Sequence, residues 1–435
     1  MKKIFLAVII LLLASCVFAD ILTDYVYKTD SSFDYKIIEK TKDGDSDVIA
    51  IDMTSQTWQN MSIKNTVVII YPKNTKITDT AVLLNTGGAY KSGTLWAKLG
   101  VQMSKLVSCP ICIVFDIPNQ PMWGKKEDAL MSHTFKQAFD ENNFTEKPLL
   151  LQMAKAVIKS MDVIETVSSG YNKPIKKFII TGASKRGWTS WISAGTKDKR
   201  IVAIMPIVFD WLDMKKQINH QKEYYGTTSA QIGDYTQFNF DELLYKPEAK
   251  TMVELIDPFY YNVSIPKLII NASNDQYWTL DSAGLYYNNL KGEKYLFYKP
   301  NAKHDMGLLK FSDDPMSGFF EILPMINDMK IFIDHVCLGT KMNNIKYTWA
   351  EKKSKIICTI NAEEKPEAVI CYTKDQDKRD FRDTKWEGKE LSFDGRKIVY
   401  TRDIPASGYC GTFIEVKFKN SEGTPYSVFT TPFVK

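Results

Sequence analysis

A serine hydroxyl attacks a carbonyl at neutral pH only when a histidine takes its proton, a carboxylate orients that histidine and N–H donors receive the oxyanion. The chain offers a candidate for each part. Ser184 stands in Ile179-Ile180-Thr181-Gly182-Ala183-Ser184-Lys185-Arg186-Gly187-Trp188, between a β-rich run and a helical run. A tight strand-to-helix turn there projects the hydroxyl at the carboxyl edge of a sheet, where a helix N-terminus favours negative charge. The alternative is a serine that caps the helix. Only four histidines occur, which narrows the choice of base. His133 lies in a polar insertion, His220 in an aromatic, amide-rich stretch and His335 in a helical pattern, whereas His304 follows the apolar run 295–298. For the acid, Asp275 follows the run 268–270, and Asp210 follows the run 201–209. Either loop can lie beside the histidine turn, and Asp275 is the preferred partner.

The order Ser184, Asp275, His304, each after a separate strand, is the order of an α/β-hydrolase triad. The loop Asn85-Thr86-Gly87-Gly88-Ala89-Tyr90 occupies the place where that fold supplies one oxyanion donor, and Gly87 and Gly88 allow close backbone approach; an ordinary tight turn explains them equally well. The second donor is the N–H of Lys185. In G-x-S-x-G the second glycine packs behind the nucleophile, but here Arg186 takes that position and Gly187 comes one later. Lys185 and Arg186 either support an oxyanion or a substrate carboxylate, or bridge to neighbouring acids.

The elements that must carry these residues are legible as short apolar runs alternating with helical patterns, which implies a mostly parallel sheet with crossover helices. Strands are expected at 66–71, 80–85, 111–117, 177–181, 201–209, 266–271 and 295–298, and helices at 149–167, 188–196, 282–290 and 319–335. Residues 211–262 are aromatic and irregular and read as a cap. The α/β-hydrolase-like domain spans 20–340. From 341 to 435 the pattern turns to alternating segments, such as 355–360, 368–373, 397–402 and 413–418, expected to form a small β-sandwich.

Met1-Lys2-Lys3, an apolar run from residue 4 to 14 and Val17-Phe18-Ala19 before Asp20 have the layout of a secretory signal occupying residues 1–19. Leu13-Ala14-Ser15-Cys16 also fits a bacterial lipobox, with Cys16 acylated. Either way the protein is exported, and no later run is long and apolar enough to span a membrane. Of the net charge of +5, Lys2 and Lys3 supply two, so the mature chain carries +3, too little to argue for nucleic acid. Beyond Cys16, Cys109, Cys112, Cys337, Cys358, Cys371 and Cys410 are even in number and suit disulfides in an oxidising compartment. Cys109-Pro110-Ile111-Cys112 leads into a strand and has no second Cys or His pair, which argues against metal or redox chemistry. Sequons at Asn60, Asn143, Asn262 and Asn271 make glycosylation an expectation in a eukaryotic source, with Asn143 the best placed and Asn271 in a core strand.

The heptad Gly182 to Trp188, with Pro118-Asn119-Gln120-Pro121 upstream and Phe209-Asp210-Trp211-Leu212 downstream, resembles the PhoPQ-activated pathogenicity-related protein family. The likeness runs from about residue 25 to the C-terminus. That family is α/β-hydrolase-like and includes exported bacterial proteins and secreted amoebal repressors of proliferation. The resemblance implies export and a hydrolase-like core. The expectation is therefore a secreted serine hydrolase, esterase or peptidase in type, that takes a small-molecule or peptide substrate through an acyl-Ser184 intermediate and needs no metal or organic cofactor. The alternative implied by the amoebal members is a secreted signal that binds a cell-surface receptor.

Overall fold

Strands that are buried on both faces are near-continuous runs of β-branched residues, and this chain has several. The computed structural model describes residues 21–92, 95–170, 174–307 and 315–435, so the expected leader and Cys16 lie outside the described residues. Two compact units result: residues up to Lys215 together with Ile232–Pro266, and Lys216–Gln231 together with Lys267–Lys435.

In the first unit the antiparallel strands β1 (Asp34–Asp43), β2 (Ser46–Trp58) and β3 (Met61–Pro72) lead into the parallel set β4 (Thr80–Asn85), β5 (Ile111–Val114), β6 (Lys177–Ala183) and β7 (Ile201–Ile207). They hydrogen-bond in the order β1-β2-β3-β5-β4-β6-β7, with β5 antiparallel to β3 and parallel to β4. Helix α1 covers residues 21–27, followed by α2 (Leu95–Val107), α3 (Glu127–Asp140), α4 (Leu149–Ser168) and α5 (Lys185–Gly195). Apolar residues at helical spacing bury most of α4, and α5 is buried along its whole length. Behind α5, Trp188 stacks on Phe209 at 5.1 Å and meets Phe135 and Trp211 edge-on, a dense aromatic backing.

The second unit opens its sheet with the parallel pair β8 (Lys267–Ala272) and β9 (Lys294–Lys299), followed by a helix, Pro315–Leu338. Beyond it lie two antiparallel sheets. One has the order β10 (Ile345–Lys352), β11 (Lys355–Ala362), β14 (Lys397–Asp403). The other has β13 (Gly388–Glu390), β12 (Ala368–Gln376), β15 (Tyr409–Lys419) and β16 (Pro425–Phe429), with β17 (Phe433–Val434) on β15. Arg402 of β14 forks onto Asp375 of β12 at 2.6 and 2.7 Å, joining the two sheets. This C-terminal region shares its core with β9: Phe297 packs on Phe429 and Tyr298 on Phe413. Antiparallel strands leading into a parallel sheet, the crossed order β3-β5-β4-β6 and a turn from β6 into a buried helix are those of the α/β-hydrolase fold, here with a C-terminal β-sandwich.

Several expectations need correction. The segment 282–290 is not an α-helix but two 3-10 turns, Ser282–Leu285 and Tyr287–Asn289, because Gly284 and paired asparagines are poor helix formers. The polar insertion after β5 contains α3, which buries Leu130, Met131, Phe135 and Ala138. Strands β1 and β2 were not among the expected elements; β1 has a largely exposed, charge-rich sequence that lacks a core signature. The expected disulfides are not found among the described residues: no two of the six cysteines there are bridged, and five of them fill buried positions as small apolar side chains. Burial pushes the Cys112 thiol well up, so it is a poor thiolate. Asn271 is buried, whereas Asn60 and Asn262 are exposed and Asn143 is half-buried. Among the described residues, no helix is long and apolar enough to cross a membrane and no group of His, Cys, Asp and Glu side chains is placed to hold a metal.

Helix α6 (Met214–Tyr225) starts on a buried carboxylate. Asp257 accepts the N–H groups of Asp213, Met214 and Phe259 at 3.2, 2.8 and 3.0 Å. Burial nevertheless outweighs those bonds and pushes its carboxyl up to about 7, with Asp213 adding repulsion. A raised folded-state pKa means a stability contribution that is complete below the unfolded value near pH 4 and lost as pH rises through about 7. Asp257→Asn is therefore expected to gain on the wild type by up to about 1.4 kcal/mol per pH unit between pH 5 and 7. Denaturant unfolding of both proteins across that range checks it; a pH-independent difference would remove Asp257 as the titrating group.

Candidate active site

The turn from β6 into α5 holds Ser184 at φ 57° and ψ −125°, a backbone region that a residue with a side chain enters only at a cost of about 1–3 kcal/mol. Its N–H donates to Ile207 O at 2.8 Å and its carbonyl accepts from Trp188 N at 3.0 Å, so the strained residue is pinned from both sides. The hydroxyl makes no capping bond to α5, which sets aside the helix-capping alternative. Space around the turn is minimal. A Cβ on Gly182 would fall 2.6 Å from Asn85 Nδ2 and 2.8 Å from Arg186 O, and one on Gly187 would fall 2.9 Å from Ile207 O. Asn85, at the end of β4, ties the turn together by donating to Thr181 O, Arg186 O and Ser190 Oγ.

Arg186 replaces the missing second glycine of the motif by turning away from the serine. Its Nε donates to Ile117 O at 2.7 Å, and its two terminal nitrogens reach both carboxylate oxygens of Glu127 at 2.6 and 2.8 Å. Lys185 bridges Glu127 and Asp128 at 3.2 and 3.1 Å. Two cations thus meet two carboxylates, and of the two possibilities raised by the sequence the acid-bridging one is realised for both residues. Burial opposes ionisation of Glu127, but the bonds and charge of Arg186, with Lys185, hold its carboxyl down to about 2. Gln120 adds a bond to each side of Glu127, donating to its carboxylate at 2.7 Å and accepting its N–H at 3.0 Å.

Gly87 is glycine for the same reason: a Cβ there would lie 1.7 Å from Arg186 Nη2. A Cβ on Gly88 would meet nothing within 4 Å, and the Gly88 carbonyl accepts from Asp116 N at 3.0 Å, which anchors the loop to the end of β5. The strings containing Gln120, Ser184 and Phe209, distant in sequence, are therefore one structure: Gln120 braces Glu127, Glu127 holds Arg186, and Trp188 stacks on Phe209 at 5.1 Å.

In the second unit the turns after β8 and β9 bring Asp275 and His304 together, Nδ1 to Oδ2 at 2.7 Å, with Asp275 only 6% exposed. The other carboxylate oxygen accepts Tyr277 N–H at 2.8 Å. The Tyr277 ring lies 4.2 Å from the imidazole at an interplanar angle of 33°, and Gln276 Oε1 accepts the His304 N–H at 3.0 Å. Tyr277 and Gln276 were not singled out in the sequence, although their position directly after Asp275 is the signal that could have found them. Asp210 is buried after β7, but the carboxylate bonded to His304 is that of Asp275. The other histidines are engaged differently: His220 meets Asp281 through Nε2, His335 lies between Thr340 O and Glu293, and His133 packs on Trp123. His304 meets its carboxylate through Nδ1, whereas His220 and His335 meet theirs through Nε2.

Arg186→Ala is expected to destabilise the protein by about 2–4 kcal/mol, less than a fully buried pair because Glu127 is 42% exposed. Arg186→Lys should recover little, since one ammonium cannot match the carboxylate fork. Gly87→Ala should also destabilise by itself, yet cost much less in the Arg186→Ala background, where the clash is gone. Denaturant midpoints of the four proteins test this, and additive costs would contradict it.

Residues 22–382 match the model of a family described as PhoPQ-activated pathogenicity-related protein. Autocrine proliferation repressor protein A of Dictyostelium discoideum is 32% identical over 332 residues, which are 70% of this chain and 65% of that protein's length. Among solved structures, an acetyl xylan esterase from Paenibacillus sp. R4 aligns with a TM-score of 0.47 and 13% identity, over 70% of this chain and 93% of that one. An S-formylglutathione hydrolase from Agrobacterium tumefaciens aligns with a TM-score of 0.43 and 12% identity, over 69% and 99%.

Proposed function

This chain belongs to the PhoPQ-activated pathogenicity-related protein family, and from that premise we propose that it is an exported serine hydrolase cleaving an ester or amide through an acyl-Ser184 intermediate. The observation that carries the reading is the backbone of Ser184, held at positive φ on the strand-to-helix turn. Such strain persists where a side chain has to be presented rather than packed.

In the proposed cycle His304 Nε2 takes the proton of Ser184 Oγ as that oxygen adds to the substrate carbonyl, and the proton then goes to the leaving group. Asp275 fixes the tautomer through its 2.7 Å bond to Nδ1 and stabilises the imidazolium. The oxyanion is received by the Lys185 N–H and by the loop at Gly87 and Gly88, of which Gly88 has the open surroundings that close approach needs. Water, deprotonated by His304, releases the acid product and regenerates Ser184. Lys185 and Arg186 take no part in binding a substrate carboxylate, because Glu127 and Asp128 already neutralise them.

The test is labelling of the purified protein by a fluorophosphonate probe, followed by mass spectrometry of its peptides. The adduct is expected on the peptide that contains Ser184. An unlabelled wild type, or an adduct elsewhere, overturns the reading.

A further inference from the structure

The turns that carry Asp275 and His304 are tied to each other by three bonds: Asn274 N–H donates to Ala302 O at 3.0 Å, Asn301 N–H to Ser273 Oγ at 2.8 Å and His304 N–H to Gln276 Oε1 at 3.0 Å. Within the first turn Ser273 Oγ donates to Asn274 Oδ1 at 2.6 Å. Both turns are also tied to a third segment, residues 379–386, which joins β12 to β13 more than seventy residues later in the chain. The amide of Asn274 donates to Thr384 O at 2.6 Å and to Arg382 O at 3.2 Å. Asn301 makes a reciprocal pair with Trp386, donating to its carbonyl at 2.9 Å and accepting its N–H at 2.7 Å. The segment is itself firmly built. Phe381 and Trp386 are buried and stacked, Trp386 packs on Phe413 of β15, and Thr384 Oγ1 donates to Gln376 Oε1 at 2.8 Å.

We propose that the segment 379–386 of the C-terminal β-sandwich is a template for the Asp275–His304 pair, with Asn274 and Asn301 as positioning residues that transmit its geometry to the two turns. Each asparagine sits beside one member of the pair in sequence, one before Asp275 and three before His304, and each spends its side-chain amide on main-chain atoms of the same distant segment. A bond to main chain fixes a turn in space, because the partner cannot rotate away. The C-terminal region then acts as part of the catalytic body rather than as an appended binding module. Arg382 extends the same frame to α6, lying 4.2 Å from the Tyr225 ring, whose hydroxyl donates to Trp278 O at 3.1 Å.

The role assigned to the asparagines rests on the hydrolase reading, but its test does not depend on turnover alone. Asn274→Ala and Asn301→Ala are made in the full chain, with Lys355→Ala as a remote surface control. The expected result is a kcat on an activated ester lowered by about 10- to 100-fold with KM changed by less than about two-fold, since a displacement near 1 Å costs about that much. Low-field proton NMR reads the shared proton between His304 and Asp275 directly. That signal, identified by its loss in His304→Ala, should broaden or vanish in both asparagine variants. Wild-type kcat together with an unchanged signal overturns the proposal. If the wild type hydrolyses no ester, the signal decides alone: its loss in both variants upholds the positioning role while the hydrolase reading falls, and its retention overturns the role. Asn301→Asp keeps the acceptor for Trp386 N–H and loses only the donor, so it guards against misfolding of the alanine variants. It should show an intermediate loss of kcat, and wild-type behaviour in both readouts would overturn the proposal.

Discussion

Ser184→Ala is expected to lower turnover of an activated ester by about 10⁵-fold and to abolish fluorophosphonate labelling. The size follows from what remains. Without the hydroxyl no acyl-enzyme forms, and only binding and the oxyanion donors still favour direct attack by water. The fold should be indifferent to the change, because the turn is held by main-chain bonds to Ile207 and Trp188. Alanine keeps the Cβ, so the positive-φ strain is also unchanged. The measurement is kcat on a chromogenic ester, with the denaturant midpoint as a control. A variant that retains more than about one per cent of wild-type turnover would remove Ser184 from the chemistry.

The second large effect is expected at Asp275. Asp275→Asn should reduce kcat by about 10³- to 10⁴-fold with little change in KM, because an amide facing Nδ1 favours the wrong tautomer and withdraws the charge that supports the imidazolium. The asparagine still has an oxygen to accept the Tyr277 N–H bond, so the turn itself should survive. Asp210→Asn provides the contrast, since the 2.7 Å bond to His304 belongs to Asp275. A larger loss from Asp210→Asn than from Asp275→Asn would reverse the assignment.

The parallel core and the nucleophile turn could be read from residue order because both depend on local signals: β-branched runs, glycines beside a serine and a helical pattern behind it. The two acids could not be separated this way. Asp210 and Asp275 both follow buried strands, and only the folded positions of the strand ends decide which carboxylate meets an imidazole. Arg186 was ambiguous for the same reason, because its partner Glu127 lies 59 residues earlier and sits in α3, a helix hidden inside a polar stretch. Strand β1 escaped because its exposed, lysine-rich sequence suits an edge strand, where charge discourages unwanted pairing. Asn274 and Asn301 looked like turn residues, which they are; what they hold lies more than eighty residues downstream.

Gly87 and Arg186 have a consequence for descent. The glycine leaves a hollow, and the guanidinium fills it so closely that a single added carbon would overlap it. Neither position can drift alone. A lineage that acquires a side chain at 87 must have shortened the residue at 186 beforehand or at the same step, and one that loses the arginine frees the loop to accept almost anything. Across distant relatives the two positions are expected to change together, so a loop glycine that looks like a mark of oxyanion chemistry here records the bulk of an arginine.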